Sequence, residues 1–206
     1  MENYIQINGK RIMLTEDQIQ EINTACASDP VQKKLADIAI GKTFYIGETQ
    51  FVVLRQYDEE TAVITKDILE NMAFGENNNF NGSDVDAFCQ KFAEGLAKRI
   101  GERNLVEHTV DLTSDDGLKD YGAVTRKVSL LTTEMYRSCV DVLDQHKPDK
   151  WWWLATPYST ARHDHEVWVK CVSPAGGINF GNYSIVNYGV RPFCILNSSI
   201  LVSLGA

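Results

Sequence analysis

The chain has 206 residues with 44% hydrophobic and 23% charged side chains, enough to bury a core without disulfides, and this balance excludes collagen-like, low-complexity and mostly disordered readings. Twenty Lys+Arg against 28 Asp+Glu leave a formal charge of −8, which disfavours nucleic acid as a direct ligand because phosphate neutralisation needs clustered cations. The same charge serves solubility or forms an acidic face that docks on a basic protein surface, and composition does not separate the two.

Tyr4 to Leu14 alternates apolar and polar residues around Asn8-Gly9, which predicts a β-hairpin. Thr15 followed by Gln18 makes a capping box, and Ile19, Ile22 and Cys26 recur at helical spacing, so a short amphipathic helix is expected. Asp29-Pro30 repeats the start signal and predicts a second helix with Leu35, Ile38 and Ala39 on one face, stopped by Gly41. Residues 1–40 therefore read as an N-terminal hairpin and helical appendage, and residues 41–206 as the main domain. The first residues lack the apolar stretch of a signal peptide, and no window is apolar enough for a membrane span. A cytoplasmic location is expected.

From Thr43 the period changes to that of strands, with Thr43–Ile46, Gln50–Arg55 and Thr61–Thr65 forming an antiparallel meander. Phe74 to Gly82 lacks any period and reads as a surface loop. Ser83 or Asp84 then caps a helix whose stripe of Val85, Phe88, Cys89, Phe92, Leu96 and Ile100 ends at Gly101. A strand at His108–Leu112, a polar loop at 113–123, a strand at Lys127–Leu131 and a short helix capped by Thr133 follow. The last part holds all four tryptophans, with strands expected at Trp151–Leu154, Glu166–Val172 and Val190–Leu196 between long loops.

Several residue groups carry possible chemistry. His163 and His165 would share one face of a strand, but two ligands fall short of a closed zinc site, and an exposed polar loop is the simpler reading. Asp111, Asp115, Asp116 and Asp120 form a carboxylate cluster without the alternating register of an EF-hand, so no metal is expected. The five cysteines, Cys26, Cys89, Cys139, Cys171 and Cys194, are odd in number and lack C-x-x-C, which reads as reduced thiols. Phosphate-loop, dinucleotide, nucleophile-elbow and H-E-x-x-H motifs are missing, and no cofactor is expected. In the run Trp151-Trp152-Trp153, alternate members must face opposite sides of a strand.

Trp151-Trp152-Trp153-Leu154-Ala155-Thr156-Pro157, with Tyr188-Gly189-Val190-Arg191-Pro192-Phe193 roughly thirty residues later, resembles the paired W-W-L-R-S-P and G-V-R-P signatures of a bacterial and phage domain family of unassigned function (DUF6273-like). The resemblance covers residues 40 to 200. It implies an α+β, C-type-lectin-like fold akin to formylglycine-generating-enzyme-like domains: an antiparallel meander, two helices and a β-rich half with long loops. Ala155 stands where the family carries an arginine, so no role of that arginine transfers. Trp152, Arg191 and Pro192 read as scaffold, a guanidinium being able to tie several loop carbonyls to the core.

In proteins similar to this fold the surface between the two signatures recognises ligands. That implies a binding face of Tyr158, Arg162, His163, His165, Asn179, Phe180, Asn182, Tyr183, Asn187 and Tyr188. Tyr, Asn, Ser and Gly are also residues that give adaptable contacts at low entropic cost, although they serve turns as well. Three functions stay open. The first is a non-catalytic protein-binding module of phage or mobile-element type. Its special form is an acidic inhibitor in the bacterial cytoplasm that presents Asp58, Glu59, Glu60, Asp115 and Asp116 to a basic, nucleic-acid-binding host-defence protein. The second is a receptor- or glycan-binding module on a virion. The third is a thiol-dependent enzyme of formylglycine-generating type using Cys171 and Cys194.

Overall fold

The computed structural model describes residues 4–7, 9–25 and 32–205. Asn8, Cys26, Asp29 and Pro30, on which parts of the sequence reading fall, lie outside them. Strands β1 (Tyr4–Ile7) and β2 (Lys10–Met13) pair antiparallel with Tyr4 opposite Met13, and Gly9 supplies a positive φ of 78° in the turn. Helix α1 (Glu16–Ala25) opens on a reciprocal capping box: the Thr15 amide donates to Gln18 Oε1 at 3.0 Å and the Gln18 amide to Thr15 Oγ1 at 3.3 Å.

The helix predicted through Leu35 and Ile38 does not form. Instead, β3 (Gln32–Lys34) leads into a single 3-10 turn at Leu35–Asp37. The amides of Leu35 and Ala36 donate to the carbonyls of Ile200 and Ser198, and Leu35 is fully buried. Pairing with a strand far along the chain thus overrides the local helical signal. Residues 32–38, placed in the appendage by the sequence reading, lie in the edge and core of the main sheet.

The meander forms as expected from β4 (Thr43–Ile46), β5 (Thr49–Gln56) and β6 (Glu60–Thr65), and β7 (Glu70–Asn71) follows. Helix α2 (Asp84–Ile100) starts at Ser83, whose Oγ accepts from the Asp86 amide at 3.0 Å, and stops at Gly101 with φ 85°. Short strands β8 (Leu105–Val106), β9 (His108–Asp111), β10 (Ala123–Arg126) and β11 (Val128–Ser129) precede helices α3 (Thr133–Ser138) and α4 (Val140–Leu143). The cap of α3 is Thr132, one residue before the predicted Thr133. The final half comprises β12 (Trp152–Pro157), β13 (Trp168–Val172), β14 (Ile178–Asn182), β15 (Gly189–Val190), β16 (Phe193–Asn197) and β17 (Leu201–Ser203).

These strands make a mixed α+β architecture of mostly antiparallel sheets. The larger sheet runs β11-β16-β6-β5-β4-β17-β3, with β8 also on β16, and curls into a half-barrel. The smaller runs β14-β13-β12-β15-β7, with β12 and β15 parallel. Adjacent side chains on β12 point to opposite faces, so Trp153 enters a core shared with α2, Phe74 and Phe80, while Trp152 enters a second core with Tyr136, Leu143 and Phe193. Trp151 is half-buried and stacks on Tyr188 at 5.5 Å. Among the described residues, no helix is long and apolar enough to cross a membrane.

The segment 74–82 is irregular as predicted, but it is not merely surface: Phe74, Asn78 and Phe80 are fully buried. Arg191 is also fully buried. Its Nε and Nη2 donate to the Thr65 carbonyl at 3.2 and 3.0 Å, Nη2 donates to the Lys66 carbonyl at 3.0 Å, and the guanidinium lies 4.8 Å above the Trp152 ring.

His108 sits edge-on to Phe193 at 5.1 Å, with Nε2 2.8 Å from Ser129 Oγ. Burial pushes its pKa from 6.5 down to about 4. The folded-state value is the depressed one, so stability linked to the neutral ring is fully present above pH 6.5 and is lost as pH falls towards 4. Urea unfolding is expected to show a loss of about 2–3 kcal/mol from this residue across that interval. His108→Phe, which keeps the ring contact, should flatten that part of the profile; an unchanged slope would remove His108 as its source.

Candidate functional site

Alternation along β13 places Trp168, Lys170 and Val172 on one face, and the register with β14 sets Asn182, Phe180 and Ile178 opposite them. Val172 and Ile178 are covered by the second core. Towards Trp168 the face opens, and Phe180 is 43% exposed. Tyr158, just past β12, brings its ring to 4.8 Å from Phe180, while Trp168 meets Phe180 edge-on at 5.5 Å. His165 lies edge-on to Tyr158 at 5.8 Å, and Lys170 Nζ is 5.6 Å from the centre of the Tyr158 ring.

Two loops hold this face in place. Asp116 accepts from Ser159 Oγ at 2.6 Å, from Ser114 Oγ, and pairs with His163 Nδ1 at 2.9 Å. Burial alone would raise its pKa, but these donors prevail and hold the carboxyl well below the usual range. Asp120 accepts from Thr160 Oγ1 at 2.7 Å and forms an ion pair with Arg162. Asp115 pairs with Lys170 Nζ at 3.0 Å and lies 3.7 Å from Arg137. Asp116 and Asp120 thus tie the acidic loop 112–122 to the loop 158–166, and Asp115 ties it to β13 and α3.

Asn78 joins both loops from beneath. Its Nδ2 donates to the carbonyls of Ser159 and Trp168, each at 2.8 Å, and its Oδ1 accepts from Tyr121 Oη at 2.7 Å. Its own amide donates to the Glu166 carbonyl at 3.1 Å. A single buried amide side chain therefore ties segments that are far apart in sequence.

The structure gathers Tyr158, His165 and Phe180 at this face, while Arg162 and His163, in the same loop as His165, pair with Asp120 and Asp116. Asn182 is on the same strand but its Oδ1 accepts from the Ser184 amide and hydroxyl, and Asn179 Oδ1 accepts from the Phe180 amide on the sheet edge. Tyr183 packs against the first core. Tyr188 lies against Trp151 and Trp153, and with Asn187, Asn71 and Lys150 it lines a separate groove of about 500 Å³. The expected binding surface is thus two surfaces. Trp168, Lys170, Asn78 and Tyr121 belong to the first one and were not singled out from sequence; the period-2 pattern of β13 marks Trp168 and Lys170, while nothing local distinguishes Asn78 from its asparagine neighbours.

The five acidic candidates are divided between the two sheets. Asp58 and Glu59 are exposed in the turn between β5 and β6, Glu60 begins β6, and Asp115 and Asp116 are paired internally as described. The strand expected to align His163 and His165 is absent: Ala161–His163 is a 3-10 turn and Asp164 is left-handed at φ 55°. Among the described residues, no group of three or more His, Cys, Asp or Glu is arranged to hold a metal ion.

Cys171 faces the first core from β13 and Cys194 lies on β16 in the other sheet. Burial pushes the Cys171 thiol up to about 12 and raises Cys89 and Cys194 still further. All three are expected to resist iodoacetamide in the native protein at neutral pH and to label only after unfolding. Rapid native labelling of Cys171 or Cys194 would show thiolate character that this burial does not provide.

Residues 58–198 match a family described as Domain of unknown function (DUF6273). The chain belongs to this family. The DUF6273 match runs from the turn between β5 and β6 to the residue after β16, and so contains Asn78, Arg191 and both interlocked loops, while β4, β5 and β17 lie outside it. No curated protein and no solved structure gives a significant match to the chain.

Proposed function

We propose that this DUF6273 domain is a non-catalytic binding module of C-type-lectin-like fold that grips another protein through the Tyr158–Phe180 face. The observation that carries this reading is the cross-linking of two loops beneath a partly exposed aromatic cluster. Ordering costs oppose association, and a surface already held by Asp116, Asp120 and Asn78 has met them before the partner arrives. Exposed Phe180, flanked by Tyr158 and Trp168, supplies aromatic residue types that dominate protein interfaces. The high thiol pKa values weigh against a thiol-dependent enzyme.

The test is affinity capture from bacterial lysate with wild type and Phe180→Ala in parallel. A stoichiometric protein recovered by the wild type and reduced at least about tenfold by the variant supports the reading. Equal recovery by both places the interface elsewhere. The narrower form, an acidic phage inhibitor of a basic host-defence protein in the cytoplasm, rests on Asp58, Glu59 and Glu60, and it requires capture that weakens steeply with salt.

A second reading, glycan binding, is favoured by the groove at Trp151 and Tyr188, where aromatic walls meet Asn71, Asn187 and Asp149. Metal-independent binding on a glycan array, lost in Tyr188→Ala, would support it over the protein partner.

A further inference from the structure

Helix α2 leaves an open groove of about 480 Å³ against β4, β5 and β7, away from the face described above. Its walls are Ile46, Phe88, Phe92 and Leu96. Phe88 and Phe92 are only half-buried although they lie on the apolar stripe of the helix. Lys91, Gly95 and Arg99 recur every fourth residue along the helix and border the same groove.

Gly95 is the unusual member. It sits in the helix interior without a positive φ, and a Cβ added there would meet nothing within 4 Å. Glycine at such a position lowers helix stability relative to alanine, and no turn or close backbone approach in the fold calls for it. What the missing side chain provides is room between two cations at the groove. Neither Lys91 nor Arg99 forms an ion pair among the described residues. Arg99 is nevertheless placed: its guanidinium lies against Gly47 in the β4–β5 turn, where any Cβ would overlap it. The groove also carries Glu70, whose Oε1 accepts from the Asn71 amide.

We infer that this groove is a binding site for a small amphiphilic carboxylate, an apolar chain or ring seated on Phe88, Phe92 and Ile46 with its acid group drawn to Arg99. The groove lies within the size range of small-ligand sites. Two unpaired cations against one carboxylate select an anionic head group, and the apolar walls select the rest of the molecule.

Amide NMR on the full chain, titrated with decanoate, decanol and decyltrimethylammonium, tests the assignment. Decanoate is expected to give saturable shifts centred on Ile46, Thr49 and Gly95, with decyltrimethylammonium at least about tenfold weaker. Gly95→Leu fills the groove and should weaken decanoate at least about tenfold while raising Tm by a few degrees, a combination that unfolding cannot produce. Arg99→Gln should reduce decanoate to the affinity of decanol. Absence of saturable shifts, shifts centred elsewhere, equal binding of the cationic probe, or full affinity in Gly95→Leu would overturn the inference.

Discussion

Arg191→Ala is expected to destabilise the protein by about 3–5 kcal/mol, lowering Tm by about 10 °C. The guanidinium is fully buried, donates to the carbonyls of Thr65 and Lys66, and covers the Trp152 ring. Truncation leaves these carbonyls without their donor, opens a cavity above Trp152 and separates the end of β6 from the segment joining β15 to β16. The charge itself is expensive in this place. Burial pushes the pKa down to about 10 against the opposing charge of Asp67, Nη1 lacks a hydrogen-bond partner, and among the described residues no carboxylate forms an ion pair with the group. Arg191→Met, which keeps much of the volume and discards the charge, should therefore cost about half as much as Arg191→Ala. Urea unfolding of the three proteins checks the order. If alanine lies within about 1 kcal/mol of wild type, Arg191 is not the strut described.

Asn78→Ala is expected to cost about 2–4 kcal/mol, because it leaves the Ser159 carbonyl and the Tyr121 hydroxyl without their partner and takes one of two donors from the Trp168 carbonyl. Asn78→Asp is the sharper test. A carboxylate has nearly the same shape, but it turns acceptor oxygens towards two carbonyl oxygens, so at neutral pH it should be less stable than the alanine variant. Tyr121→Phe removes one bond of the same set and should cost only about 1 kcal/mol. Hydrogen exchange offers a local readout, with faster exchange expected at the amides of residues 158–166 in the Asn78 variants. Protection unchanged in that segment would mean that the carboxylates of Asp116 and Asp120 hold the loops without Asn78.

These two residues differ in how far they can be anticipated. Arg191 stands beside a proline in a recognisable signature, and its role as a tie to loop carbonyls follows from guanidinium chemistry. Asn78 lies among Asn77, Asn79 and Asn81, and Asn77 and Asn79 serve as local turn formers by accepting from amides two residues on. Only the arrival of Ser159 and Trp168 from the far end of the chain separates the one structural asparagine from the others.

The acidic residues show the same division. Sequence places Asp58, Glu59 and Glu60 between two strands, where Asp58 and Glu59 stay exposed. It also places Asp115 and Asp116 in a polar loop, yet whether they project to solvent depends on His163, Ser159 and Lys170. That depends on which loop lies opposite, and this is a property of sheet pairing.

Local periodicity and capping by themselves determined the hairpin at Tyr4–Met13, the meander β4-β5-β6, helix α2 with its cap at Ser83 or Asp84 and its Gly101 stop, and the opposed faces of Trp152 and Trp153. Each depends on neighbours within a few residues, so the signal is written in adjacent positions. Tertiary structure alone decided that Leu35 leaves a helical stripe to bond with Ile200 beside β17, that the projected binding surface divides between Phe180 and Tyr188, and that Asp116 and Asp120 of one loop bind side chains of another. Those outcomes are set by contacts between segments tens of residues apart, where burial and pairing outweigh local preference.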